Sequence, residues 1–225
     1  MARQGWVSLY DGKSLTGFKA RHPEAANTWQ SAAAVEVDPA DAKKLVSTAG
    51  EGVLVNGPAG RTTDIRTVRE FGDCEAHVEF VVSQGSNSGV YFKGEYEIQI
   101  LDSFGKEKVT FGDCGGIYAR WVNDQNVEGH APRENASRPP GKWQEFDVVF
   151  RAPRFDVGGR KIENARFISV RHNGVLIHEN VSLNGPTRGS LTGQERPTGP
   201  IMLQGDHGPV AFRNLRIKPS CPTGS

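Results

Sequence analysis

Residues Gly85–Asp102 read GSNSGVYFKGEYEIQILD, and this stretch decides the fold. Two strand-like runs, Ser88–Phe92 and Glu95–Leu101, meet at Lys93-Gly94, which predicts a tight antiparallel hairpin. Side chains alternate between the two faces of an extended strand. Tyr96, Ile98 and Ile100 therefore point into a core, and Glu95, Glu97, Gln99 and Leu101 point away from it. On the first run, Tyr91 and Lys93 oppose Val90 and Phe92. One sheet face thus collects Tyr91, Lys93, Glu97 and Gln99. Antiparallel sheets often leave one face wet, so a plain solvated face would read the same way. A flat ring beside several hydrogen-bonding groups is also what a sugar-binding cleft needs.

The same period of two recurs outward along the chain. In CEAHVEFVV (Cys74–Val82), Cys74, Ala76, Val78 and Phe80 share one face, and Glu75, His77 and Glu79 share the other. In GKWQEFDVVFRA, Trp143, Glu145, Asp147 and Val149 oppose Gln144, Phe146, Val148 and Phe150. RFISVRHNGVLIHEN reads strand, turn, strand, with Asn173-Gly174 as the two-residue turn. Further strands are expected at Val7–Tyr10, Gly52–Val55, Gly116–Trp121, Ile201–Gln204 and Ala211–Ile217. The best helical candidate is the short PADAKK at Pro39–Lys44. With 27 Gly and 13 Pro in 225 residues, turns are frequent, which suits many short strands.

These patterns predict an all-β protein: a two-sheet antiparallel jelly-roll β-sandwich. Residues 1–225 read as a single domain, with a core over about 6–219 and a tail over 220–225 that carries Cys221. Trp6 and Phe212, near the two ends, are both expected to fill one core. The stretches His22–Asn27, Asn123–Gly141 and Asn184–Thr198 read as rim loops. FGDC occurs at Phe71–Cys74 and again at Phe111–Cys114, without matching flanks, so no repeat is read from it.

Composition excludes several classes. With 27 Lys+Arg against 26 Asp+Glu, the net charge of +1 offers no basic excess for a nucleic acid. No run approaches the roughly 20 apolar residues of a membrane-spanning helix. The opening MARQGWVSLYDG shows no signal peptide. Cys74, Cys114 and Cys221 lack zinc-ribbon spacing, and Cys74 and Cys114 are expected as buried free thiols, a Cys74–Cys114 disulfide being the alternative. G-x-S-x-G, H-E-x-x-H and phosphate-binding glycine loops are all absent from the sequence. Asn135-Ala-Ser137 and Asn180-Val-Ser182 match the glycosylation pattern too briefly to be informative.

Three clusters could carry chemistry. The first is the Tyr91, Lys93, Glu97 and Gln99 face. The second is Gln204–His207 (QGDH), where Asp206 and His207 on a glycine-flanked turn could supply a base or a metal ligand, or be an ordinary surface turn. The third is GGIYARW, where Tyr118 and Trp121 add aromatic surface or fill the core. Glu75, His77 and Glu79 could ligate a metal from one strand face, although such a triplet is usually solvated.

Several segments in order resemble the 3-keto-disaccharide hydrolase domain family: LYDGKSLTGF, FGDCEAHVEF, SNSGVYFKGEYEIQILDS, CGGIYA, RPPGKWQEFDVVFRAPRF, NGVLIHEN and GPIMLQGDHGPVAFRNLRIKP. The resemblance runs from Trp6 to Pro219. It implies a concanavalin A-like lectin/glucanase fold, glycosyl hydrolase activity on sugars and a bacterial periplasmic or secreted setting. It carries over to Glu97, Gln99, Asp102, Gln204, Asp206 and His207.

An ordinary glycosidase needs paired carboxyls, about 5–5.5 Å apart for retention and about 6.5–9.5 Å for inversion. Glu97 and Asp102 would lie roughly 16 Å apart on opposite faces of a strand, while Glu95 and Glu97 would share a face about 7 Å apart. A 3-keto sugar asks for less. Its ketone acidifies the C2 proton, so one base and one stabiliser of the enolate oxygen suffice. Glu97 and His207 are the candidate catalytic pair. Tyr91, Lys93, Gln99, Asp102, Tyr118, Trp121 and Gln204 are the candidate substrate-binding residues. A divalent ion on Glu97, Asp206 and His207 would serve as the stabiliser. The alternatives are a lectin-like module that binds carbohydrate without cleaving it, and a purely structural accessory domain.

Overall fold

The computed structural model describes residues 5–220. In chain order the strands are β1 (Val7–Ser8), β2 (Phe18–Ala20), β3 (Gln30–Asp38), β4 (Asp41–Val55), β5 (Ile65–Phe71) and β6 (Cys74–Val82). They continue as β7 (Asn87–Phe92), β8 (Tyr96–Leu101), β9 (Arg120–Val122), β10 (Gln125–Val127), β11 (Gln144–Arg151) and β12 (Arg154–Phe155). The last are β13 (Lys161–Glu163), β14 (Ala165–His172), β15 (Val175–Leu183), β16 (Gly199–Leu203) and β17 (Val210–Pro219).

Two antiparallel sheets face each other across the core, giving the expected β-sandwich. One has eight strands in the order β15-β14-β11-β6-β17-β4-β3, with β1 added on β17; the other has five, β2-β5-β16-β7-β8. The alternation read from the sequence fixes what each sheet buries. Ala76, Val78, Phe80, Phe146, Val148 and Phe150 line the inner face of the larger sheet. Val90, Phe92, Tyr96, Ile98 and Ile100 line that of the smaller. Phe92 bridges them, packing on Phe150 and Phe167 at centroid distances of 5.3 and 5.4 Å. Truncating such a ring costs about 3–5 kcal/mol.

Both predicted turns form. Lys93 and Gly94 have φ of 58° and 72°, and Asn173 and Gly174 have 51° and 84°, as a type I′ hairpin turn requires. Several expectations need correction. Pro39–Lys44 is a turn entering β4, and no helix occurs among the described residues. Gly52–Val55 is the end of β4, a 15-residue strand. The β3–β4 hairpin carries no sustained apolar alternation in the sequence, because much of it is exposed on both faces and its small Ala, Ser and Gly residues break up the pattern. Gly116–Trp121 is mostly irregular, joined to β8 by the bridge Ile98↔Ile117. Trp6 is only half-buried, and Phe212 stacks on Trp29 instead, at 6.1 Å. Cys74 and Cys114 are buried free thiols, as expected, and burial pushes both up to about 12. Cys221 lies outside the described residues.

Candidate active site

The face that β7 and β8 turn away from the core is not wet. Lys93, Glu95, Glu97 and Gln99 are each 3 % exposed and Tyr91 is 1 % exposed, because two long connections roof them. The first connection follows β8. Ile117 bridges Ile98, and the amide of Tyr118 donates to the Glu97 carbonyl at 3.2 Å. The second is the segment 184–198 between β15 and β16. The amide of Thr187 donates to the Glu95 carbonyl at 2.8 Å, and the Glu97 amide donates to Thr187 Oγ1 at 3.1 Å. Together they cover the outer edge of β8, which would otherwise expose unpaired backbone groups.

Beneath this roof is a cavity of about 320 Å³ lined by Asn87, Tyr91, Glu97, Gln99, Tyr118, Arg188, Gly189, Gln204 and His207. Six of these, Tyr91, Glu97, Gln99, Tyr118, Gln204 and His207, belong to the set expected from the sequence. Tyr91 and Glu97 are register partners on β7 and β8. Glu97 is the only carboxyl among the lining residues. Burial pushes it up to about 8; the Tyr91 hydrogen bond opposes this, and the charges of Asp64 and Asp206 reinforce it. Space for the carboxylate comes from Gly89, which faces Gln99 across the hairpin. A Cβ at Gly89 would lie 2.2 Å from Glu97 Oε1.

His207 arrives on the turn after β16. Asn56, fully buried, pins that turn by donating to the carbonyls of Gly205 and Gly208 and accepting from the Val210 amide. Asp64 accepts from the Gly205 amide at 2.9 Å and pairs with Arg21 at 3.1 Å. The Asp206 carboxylate hydrogen-bonds His207 Nδ1, which leaves Nε2 for a ligand. Two buried acceptors, Gln99 Oε1 and Gln204 Oε1, have no protein donor. Unsatisfied amide oxygens on a cavity wall suit a ligand rich in hydroxyls.

Other expected residues lie elsewhere. Lys93 belongs to the hairpin turn and lines a neighbouring cavity with Glu95. The Glu95 carboxylate accepts from the Thr192 amide, the Thr192 hydroxyl and the Gly193 amide, so it anchors the roof and does not pair with Glu97. Asp102 lines a separate cavity beside Phe104 and accepts from the Gly85 amide at 2.9 Å. Trp121 stands exposed on β9, with the Arg188 guanidinium 3.9 Å above its ring. Asp206 lines a third cavity with Asp64 and Arg21.

Glu97, Asp206 and His207 do not converge as metal ligands. Among the described residues the one such group with ligand atoms all within 4.8 Å is His77, Glu79 and Glu145, on the outer face of the larger sheet. There Glu79 is already held by Arg213 and Asn214, and Glu75 pairs with Lys218 instead. A divalent ion therefore does not fit the expected ligand set.

Arg188, Asn87 and Gly189 are lining residues that the sequence did not single out. Arg188 and Gly189 fall in a loop with no periodicity, and their only local signal is a cation beside glycine in TRGS.

The sequence profile of the 3-keto-alpha-glucoside-1,2-lyase-like domain matches residues 5–218. Three solved structures from Parabacteroides distasonis ATCC 8503, each named a "putative glycosyl hydrolase", share the fold. One is 26 % identical with a TM-score of 0.68, over 96 % of this chain and 84 % of its own. The second is 16 % identical with a TM-score of 0.61, over 96 % and 95 %. The third is 22 % identical with a TM-score of 0.57, over 96 % and 99 %. The last two speak to the fold alone. No curated protein matches the chain.

Proposed function

Because the chain belongs to the 3-keto-alpha-glucoside-1,2-lyase-like domain family, we propose that the cavity around Glu97 cleaves 3-keto-glycosides by elimination. The observation that carries this reading is that one buried carboxyl stands in the cavity without a second carboxyl beside it. A two-carboxylate displacement has no partner for Glu97 there, since Glu95 is committed to the roof. Proton abstraction next to a ketone needs only one base.

The Glu97 carboxylate removes the C2 proton of the 3-keto sugar. The C–H electron pair moves toward C3, placing negative charge on the ketone oxygen. Arg188 is permanently charged and stabilises that oxyanion. The enolate then re-forms the ketone and a C1=C2 double bond as the C1–O bond breaks. His207 donates a proton to the departing oxygen through Nε2. The products are an unsaturated 3-keto sugar and a free alcohol; water adding across the double bond completes a net hydrolysis. Tyr91, Gln99 and Gln204 hold hydroxyls of the sugar. A Glu97 carboxyl held near 8 is a stronger base than an ordinary glutamate and is still partly ionised at neutral pH.

The test compares a 3-keto-glycoside with its parent glycoside. Cleavage of the keto substrate alone, with an enone product absorbing in the ultraviolet, is the expected outcome. Equal turnover of both would remove the elimination. Binding of both without turnover would leave a lectin-like module.

A pH profile supplies a second check. Activity is expected to rise about tenfold per pH unit below pH 8 and to level off above it, with its midpoint near 8, where Glu97 is half ionised. A profile falling through the same midpoint would make Glu97 the acid. The family resemblance extends the proposal to a periplasmic or secreted setting, which fractionation of the source cells would check.

A further inference from the structure

Next to the Glu97 cavity along the 188–192 segment, which lends Gly189 to that cavity and Leu191 to this one, lies a second cavity of about 330 Å³. Lys93, in the turn that follows β7 and two residues beyond Tyr91, is one of its lining residues. Lys93 is 3 % exposed; its Nζ donates to the carbonyl of Arg196 and lies 5.8 Å from the Tyr96 ring centroid, and although the charges of Glu195, Glu95, Asp73 and Glu70 act on it, it forms no ion pair among the described residues. An ammonium carries three donors, so two remain unused. Arg66 and Arg196 line the same cavity, and among the described residues neither forms an ion pair or hydrogen bond through its side chain.

Two acids, Glu95 and Glu70, stand in this lining against four cations, Arg21, Arg66, Lys93 and Arg196, of which Arg21 is paired with Asp64. Glu95 already accepts three hydrogen bonds from Thr192 and Gly193, and Glu70 accepts from the Thr198 hydroxyl. The excess in this lining is cationic and rich in donors, and a buried ammonium with unused donors is stabilised by an anion that can take them.

We propose that this second cavity is an oxyanion site, in which Lys93, Arg66 and Arg196 hold a carboxylate, sulfate or phosphate group. The planar forks of the two arginines suit such a group, and Lys93 adds a point charge. The group is either borne by a saccharide that reaches across from the Glu97 cavity or supplied as a free inorganic anion.

Calorimetric titration with inorganic phosphate at fixed ionic strength tests the site without any turnover, so its failure is separable from failure of the proposed reaction. Saturable binding is expected, weakened at least tenfold in Arg66→Ala/Arg196→Ala. Lys93→Asn, whose side chain tolerates the left-handed backbone there, should weaken it similarly. Absence of saturable binding, or binding that both variants leave intact, overturns the proposal. A comparison of acidic and neutral keto-glycosides then identifies the source. A KM for the acidic substrate at least tenfold lower, lost in the double arginine variant with kcat unchanged, assigns the oxyanion to the substrate. Equal KM values alongside phosphate binding assign it to a free anion.

Discussion

Replacing Glu97 by glutamine is expected to lower turnover of a 3-keto-glycoside by about 10² to 10⁴, the usual cost of losing a general base. The same substitution should make the folded chain more stable at alkaline pH. The sign follows from linkage. Burial raises the folded-state pKa of Glu97 from 4.5 to about 8, so between those values the native state holds a proton that the unfolded chain has lost. Wild-type stability therefore falls as pH rises through that window, by up to a few kcal/mol. Glutamine is neutral throughout and removes this slope. Thermal unfolding should show Glu97→Gln melting above the wild type near pH 9 and close to it near pH 5. A variant less stable than the wild type at both values would mean that the carboxylate is not held at such a cost.

Gly89→Ala is the second substitution with a large expected effect. Its one added carbon would lie 2.2 Å from Glu97 Oε1, far inside van der Waals contact, so the carboxylate must swing away. Misplacing a reacting group by about 1 Å can cost on the order of 10² in rate. The backbone at Gly89 does not have the left-handed conformation that an alanine would resist. Activity should therefore fall by at least that factor while circular dichroism stays that of the wild type. Wild-type turnover in Gly89→Ala would show that the position of the Glu97 carboxylate is not critical.

Much of this arrangement is legible in strand parity. Tyr91, Glu97 and Gln99 share a face because they lie on the outward parity of β7 and β8, and alternation alone places them together. Lys93 breaks the inference. It has the right parity by number, but the chain has already left the strand and entered a turn with φ of 58°, which redirects its side chain. The roof was not legible at all. Residues 184–198 have no periodicity, and what holds them over Glu95 is a set of main-chain and threonine hydrogen bonds that leaves no pattern in the sequence. For the same reason a face rich in charged residues reads as solvated although it is buried. Asn56 and Asp64 support the His207 turn from more than 140 residues away in the chain, a distance over which no local motif can signal.

The segment that lines both cavities has a bearing on how substrate range could change over evolutionary time. The chain passes from Gly189, which lines one cavity, to Leu191, which lines the other, and is held there by Arg21 through the carbonyls of Gly189 and Ser190 and by the Leu191 amide on Gly94. Point substitutions exchange side chains and leave these peptide groups standing. Accommodating a bulkier or more branched saccharide across both cavities would therefore require deleting residues from this loop, so diversification at this position should proceed through insertions and deletions.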